Sequence, residues 1–316
     1  QGAALLRGSA VTTSDVIDSA REALGQVGVH LPLGFTYAPS VDEQRAAVAR
    51  MERAGFQAAW SNEVVGGKDA MVHLAVLLAA TERMAFGTGV ANIWAREPQT
   101  MHAAAAMLAQ GYPRRLTLGL GVGFPAQAAG TRRQFGSPRA TMRDYLRRMD
   151  DETWPPAADV AYPRIVGAMG PKMLALAAES ADGAMPAGLP PQFTARARQV
   201  LGPDKLLVIG LTVVPDSDRV RAKDVARQTV SANLGRPSYA ATLAGLGLGG
   251  HELADAVVDA VIGHGDADAI AAKVGEHLVA GADHVTLMLP MGTEFSAGID
   301  QLERLAPAVA ALDSSE

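Results

Sequence analysis

At 316 residues, 48% hydrophobic and 19% charged, the chain has the composition of a globular protein able to bury a sizeable core. A net charge of −5, with basic residues dispersed apart from pairs such as Arg114-Arg115 and Arg132-Arg133, argues against a nucleic-acid partner. The absence of cysteine removes disulfides, thiolate metal sites and thiol nucleophiles.

No run of eighteen apolar residues offers a membrane span, and Gln1–Leu6 is too short for a signal-peptide core. A cytoplasmic protein without a membrane partner is expected, with Gln1-Gly2 set aside as a processing remnant. Aromatics make up only 5% of the chain, while Ala and Gly are abundant. Such a composition suits helices packed closely on strands and predicts an α/β protein.

Thr13 to Val27 reads as a helix with Thr13 or Ser14 as N-cap and Gly28 beyond its end, within an N-terminal extension over residues 1–30. Leu31 to Tyr37 reads as the first strand. Ser40 and Glu43 have capping-box spacing and open a helix to Ala54-Gly55. The same unit recurs as strand Gln57–Ser61 with helix Lys68–Ala80, and as strand Met84–Asn92 with helix Gln99–Gln110. Strand Leu116–Gly121 follows and leads into an insertion over 122–161, which holds a basic amphipathic stretch from Arg139 to Met149. This insertion is expected to form a lid over one end.

Alternation resumes with strand Arg164–Ala168 and helix Lys172–Ala181, strand Gly183–Pro186 and helix Phe193–Leu201, then strand Lys205–Val214. Helices are predicted over Val220–Asn233 and Tyr239–Ile262, within a second insertion at 215–263. Helix Ala267–Ala280, strand His284–Leu289 and a helix from Ala297 to Leu312 close the chain. Eight strands alternating with helices favour a closed (β/α)8 barrel, a TIM barrel in one domain over 1–316, rather than an open doubly wound sheet.

Barrels of this kind place their active sites at the carboxyl ends of the strands. That rule selects Thr36 and Tyr37; Asn62 and Glu63; Asn92, Trp94 and Arg96; Gly121 and Gly123; Ala168, Met169 and Gly170; and Met185. The alternating glycines of Leu118–Gly123 follow the fourth strand and lack the full dinucleotide fingerprint. They either let a flat ring lie against the backbone or allow tight barrel packing. Gly170-Pro171 opens a helix, whose first amides suit a phosphate. Glu63 is either an acid–base group or a structural carboxylate paired with Arg96 or Lys68. The seven histidines lack HxH or HExxH spacing, so no metal is expected, and His73, His102 and His277 read as packed helical residues.

Three blocks resemble the luciferase-like flavin- and deazaflavin-dependent oxidoreductases, particularly their actinobacterial branch. They are Gly55–Glu63 leading to Gly66-Gly67-Lys68-Asp69-Ala70, Ala80–Arg96 with its core Gly87-Thr88-Gly89-Val90-Ala91-Asn92, and Tyr112–Gly123. Shorter similarities at Ala178–Gly183 and Gly281–His284 extend the resemblance over about residues 31–312. It implies a non-prolyl cis peptide at Gly89-Val90, bulging the third strand against the cofactor ring. The implied cofactor is coenzyme F420, with FMN as the alternative. Asn62, Glu63, Gly89, Val90 and Asn92 would surround the ring, Gly121, Val122 and Gly123 would lie beside it, and Ala168, Met169 and Gly170 would meet the phosphate.

Sugar-phosphate dehydrogenases of this branch carry a histidine and a glutamate where this chain has Val64 and Phe124. The expected substrate is therefore small and apolar, in a pocket of Thr36, Val64, Trp94, Arg96 and Phe124 under the insertion. Glu63, water or Tyr37 would carry the proton. The expectation is an F420-dependent oxidoreductase that is a homodimer; the alternatives are a reduced-FMN monooxygenase and a barrel that binds ligand without catalysis.

Overall fold

The computed structural model describes residues 12–34, 37–249 and 255–313. Helix α1 (Thr13–Leu24) precedes strand β1 (Val27–His30), which is followed by α2 (Val41–Ala54), β2 (Ala58–Ser61), α3 (Ala70–Ala79), β3 (Ala85–Thr88), β4 (Ala91–Asn92) and α4 (Pro98–Gly111). Next come β5 (Leu116–Gly121), α5 (Pro125–Gly130), α6 (Pro138–Arg148), β6 (Arg164–Val166), α7 (Pro171–Ser180), β7 (Gly183–Ala184), α8 (Pro191–Leu201) and β8 (Leu206–Pro215). The chain continues through α9 (Arg219–Leu234), α10 (Pro237–Ala244), α11 (Asp255–Val261), β9 (Gly263–Gly265), α12 (Ala267–Val279), β10 (His284–Met288) and α13 (Phe295–Asp313).

Parallel pairing runs β1–β2–β3–β5–β6–β7–β8–β10 and returns from β10 to β1, so the sheet closes into the expected barrel. Closure leaves no free edge along this path. β4 continues β3 against β5, and β9 lengthens the sheet beside the end of β8.

Strand alternation sorts the apolar residues into two cores. Val29, Ala59, Phe86, Leu118, Ile209 and Leu287 face outward beneath the helices. Ala58, Trp60, Ala85, Ile165, Leu206 and Val208 face inward and meet Ile17, Ala20 and Leu24 of α1. The N-terminal helix therefore plugs the amino end of the barrel. Its first turn is closed by the Thr12/Asp15 capping box, and Arg21 on Asp283 holds it in place. Inside, the buried Trp60 donates from Nε1 to His284 Nε2 at 3.0 Å. Its ring occupies the space of a missing side chain at Gly87, where a Cβ would lie 2.2 Å from Trp60 Cε3.

Several boundaries differ from those read in the sequence. The first strand is Val27–His30, not Leu31–Tyr37. The helix before it starts from Thr12 as N-cap and ends at Leu24, with Gly25 at its C-cap, so Gly28 lies in the strand instead of terminating the helix. Four residues buried on both faces show no alternation in sequence, and the apolar Leu31 and Leu33 just beyond them, also buried, read as the strand instead. The Met84–Asn92 strand is broken at Gly89-Val90 into β3 and β4. Gly263–Gly265 is a strand that was not anticipated, and the Tyr239–Ile262 helix is two helices, with 250–254 outside the described residues.

The lid expected over 122–161 is not what α6 forms. Its buried face of Met142, Tyr145, Leu146 and Met149 joins the outer core, between α4 and α7. It is the ring helix following the fourth barrel strand.

Candidate active site at the strand carboxyl ends

The third barrel strand carries a β-bulge. Gly87 pairs with Thr117 and Ala91 with Leu120, so the β3–β4 segment has one residue more than β5 opposite it. The break falls at Gly89-Val90, whose peptide is cis, as the resemblance implied. Thr88 bridges the interrupted ladder: Oγ1 donates to Gly119 O at 2.7 Å and accepts from Gly119 N at 2.8 Å. From the β2 side, Gly89 N donates to Ser61 O and Glu63 N donates to Val90 O.

The glycines of β5 are explained by this bulge. A Cβ on Gly119 would lie 2.1 Å from Thr88 O, and one on Gly121 would lie 2.1 Å from Val90 Cγ2. Tight packing accounts for both, and the side chain of Val90 fills the space beside Gly121. Below the bulge the buried His30 places Nε2 3.2 Å from Gly89 O and Nδ1 3.2 Å from Leu31 O. Burial pushes its pKa down, so the ring is neutral and donates to one of these carbonyls.

Glu63 is 5% exposed and saturated with donors. Oε1 accepts from Ala70 N at 2.9 Å, Oε2 from Asn92 N at 2.7 Å and from Arg96 Nη1 at 3.2 Å, and Arg96 Nη2 also meets Oε1. Arg96 continues to Asp69, the N-cap of α3, and its carbonyl accepts from Tyr145 Oη at 3.0 Å. Of the two roles left open for Glu63, the geometry shows the structural one: a staple joining β2, the bulged strand and the start of α3. No oxygen is left to exchange a proton with a substrate.

Trp94 and Arg96 do not line an open pocket. Trp94 is buried in the outer core, with its backbone amide on Asn92 Oδ1 at 3.0 Å and Nε1 on Val122 O at 2.7 Å. Asn92 is thereby spent on the loop, and its Nδ2 lies beside Gly123. Val64 is half-buried and bridges to Lys68. Tyr37 and Phe124 stand exposed after β1 and β5, at 63% and 57%. Thr36 lies outside the described residues.

Asn62 faces inward at the tip of β2, where its Oδ1 accepts from Lys68 Nζ at 2.6 Å. Lys68 Nζ also approaches Ser61 Oγ at 3.4 Å, and Ser61 Oγ lies 3.0 Å from His73 Nδ1. His73 Nε2 is 2.6 Å from Gln44 Oε1, and Gln44 Nε2 donates to Pro39 O at 2.8 Å. That last bond fixes the amide and therefore the imidazole tautomer: Nε2 carries the hydrogen and Nδ1 accepts from Ser61. Burial pushes Lys68 down to about 8 and His73 down to about 4. The sequence reading named Lys68 only as a partner for Glu63, and no spacing rule links positions 44, 61, 68 and 73.

At the far side, Ala168 is buried and Gly170 is the N-cap of α7. Thr242 Oγ1 of α10 donates to Met169 O at 2.9 Å, tying the 215–263 segment to this turn. Among the described residues nothing accepts from the amides of Met169 and Gly170, and Lys172 is exposed beside them. Free amides, a helix amino end and a cation suit an anionic group.

The profile of the luciferase-like monooxygenases matches residues 23–284. The chain belongs to that family. Luciferase-like proteins are flavin- and deazaflavin-dependent oxidoreductases, and solved structures share the barrel at low identity. An F420-dependent secondary alcohol dehydrogenase in complex with an F420–acetone adduct is 17% identical, over 90% of this chain and 98% of that one, with a TM-score of 0.70. The FMN-bound oxygenating constituent of 3,6-diketocamphane monooxygenase from Pseudomonas putida is 15% identical, over 90% and 98%, with a TM-score of 0.68. A Mycobacterium tuberculosis (strain ATCC 25618 / H37Rv) protein named as a coenzyme F420-dependent oxidoreductase is 31% identical over 190 residues, covering 49% of this chain and 54% of its own length. The chain thus spans about half the length of this relative.

Proposed function

We propose that this luciferase-like chain is a deazaflavin-dependent oxidoreductase, moving hydride between C5 of coenzyme F420 and a small, largely apolar organic substrate. The observation that carries the reading is the bulge at Gly89-Val90, which seats the apolar Val90 side chain against Gly119, Gly121 and Gly167 on the inner core near the strand carboxyl ends. A flat ring requires such a floor, and the donors at Met169, Gly170 and Lys172 suit the phosphate end of the same molecule. A mycobacterial relative named for F420 supports the choice of deazaflavin.

The bound cofactor supplies the hydride chemistry; the protein supplies position and electrostatics. Gly89, Val90 and Asn62 hold the ring, and the start of α7 holds the anionic end. Glu63 acts at a distance, fixing the bulged strand through Asn92 N and the β2–α3 loop through Ala70 N. Val64 and Phe124 carry no proton and leave the rim apolar, which supports an apolar substrate.

Titration of the purified protein with F420 and with FMN, followed by fluorescence, tests the reading. Binding of F420 with no tight binding of FMN is expected. Tight binding of FMN alone, with oxygen consumption on supply of reduced FMN, overturns it in favour of a monooxygenase.

The exposed apolar residues Val72 of α3 and Met107 of α4 lie on adjacent helices, and α3 has no polar face apart from His73. Such a surface supports a homodimer through α3 and α4. No helix among the described residues is long and apolar enough to cross a membrane.

A further inference from the structure

We propose that Lys68 Nζ is the group that gives a proton to, or takes one from, a carbonyl or alcohol oxygen of the substrate, a role that rests on the oxidoreductase reading above. Lys68 lies in the loop between β2 and α3. Its Nζ sits astride the tip of β2, hydrogen-bonded to inward-facing Asn62 at 2.6 Å and close to outward-facing Ser61 at 3.4 Å. An ammonium has three N–H groups. Among the described residues the third finds no acceptor, and the side chain is only partly buried.

The surrounding bonds hold Lys68 without draining its proton. Ser61 gives its own hydrogen to His73 Nδ1, so its lone pairs face Lys68; His73 then donates to Gln44, and Gln44 to the Pro39 carbonyl. Every bond in this chain points away from Lys68 and ends on backbone, so it orients rather than relays. The titratable and charged groups around the ammonium come from three segments. His30 on β1 and His73 on α3 are neutral, and Glu63, just beyond β2, is committed to Arg96, Ala70 and Asn92.

Burial lowers the pKa of Lys68 to about 8, against the opposing pull of Glu63. An acid so placed both gives up and recovers its proton near neutral pH. Of the other candidates at the rim, Val64 and Phe124 are hydrocarbon, Glu63 has no free oxygen, and Tyr37 stands 63% exposed to solvent rather than against the tip of β2.

The chemistry balances. In the reducing direction the substrate carbon gains the hydride of the reduced deazaflavin while the carbonyl π pair moves to oxygen. The N–H bond of Lys68 breaks as the O–H bond forms, and the resulting amine recovers a proton from water. In the oxidising direction the neutral amine takes the hydroxyl proton as the oxidised deazaflavin takes the hydride. The substrate class is thus a ketone, the corresponding alcohol, or an enone that takes the hydride at its β-carbon and the proton at its enolate oxygen, the enol then tautomerising to the ketone by proton exchange with water.

With only five lysines, at 68, 172, 205, 223 and 273, the protein suits carbon-13 lysine NMR. The Cε resonance missing from Lys68→Met should titrate near 8, apart from the ordinary 10.5, and shift when cyclohex-2-enone is added to the protein with oxidised F420. Lys68→Arg keeps the charge and can keep both contacts but cannot lose a proton. It should bind F420 as the parent does, while turnover of cyclohex-2-enone with reduced F420 falls by about 100-fold or more and loses its pH limb near 8. A Lys68 resonance that titrates with the other four, one that ignores the enone, or a limb that survives in Lys68→Arg overturns the role of Lys68 alone. Failure of the parent protein to bind F420 by fluorescence overturns the cofactor reading and this role with it.

Discussion

Arg96 and Glu63 form a nearly buried two-pronged pair, their side chains 9% and 1% exposed, with Arg96 Nη1 at 3.2 Å from Glu63 Oε2 and Nη2 on Oε1. The pair lies where a catalytic carboxylate was a candidate, and it fixes the loops on either side. Removing one member of a buried pair typically costs about 3–5 kcal/mol, because the other is left uncompensated. Here Asp69 still partners Arg96, so Glu63→Gln should cost about 2–3 kcal/mol by urea denaturation. F420 affinity should fall with it, through loss of the Asn92 anchor. Unchanged stability would remove the staple from the account.

The fit of Trp60 against Gly87 leaves no room for a methyl group. A Cβ there would lie 2.2 Å from the ring, which is itself fixed by its bond to His284. Gly87→Ala should therefore destabilise by about 1–3 kcal/mol through overpacking, with altered near-ultraviolet circular dichroism from Trp60. A parent-like urea midpoint would show that the barrel interior yields.

His73, His277 and His284 are each pushed down by burial to about 4. Between that value and the ordinary 6.5 the unfolded chain binds more protons than the folded one, so stability rises with pH across the interval. The contribution is complete above about 6.5, declines as pH falls, and is exhausted near 4. Each histidine adds a slope of at most about 1.4 kcal/mol per pH unit. Urea unfolding at pH 7.5 and 5 should show the loss, and His284→Gln should flatten it; equal slopes in the two proteins would exclude His284.

At the start of α7, Lys172→Glu replaces a cation with an anion beside free amides. F420 affinity should weaken by about 5–10-fold at low salt and less at high salt, as for a helix amino end binding an anion. Equal dissociation constants for parent and variant would move the phosphate elsewhere.

Met107→Lys, alone and with Val72→Lys, places charge on the exposed apolar surface of α3 and α4. If the surface is a dimer interface, sedimentation should show the parent as a dimer and the double variant as a monomer. A monomeric parent would refute the dimer.

Alternating hydrophobic units, capping residues such as Ser40 with Glu43, and the strand-end glycines were enough to determine a (β/α)8 barrel, and with it the end at which such barrels carry their sites. These signals are local, and helix and strand periods write them directly into sequence. The tertiary structure decided what each strand-end residue does, because those roles depend on partners far apart in the chain. Glu63 became a staple only when Arg96, Ala70 and Asn92 converged on it. Gly121 became a seat for Val90 only through the bulge in the neighbouring strand. His30 was hidden by a first strand read four residues late, and Lys68 came into view only when folding brought Asn62, Ser61, His73 and Gln44 around it. Burial and the direction of hydrogen bonds set charge and proton position, and neither exists until the chain closes on itself.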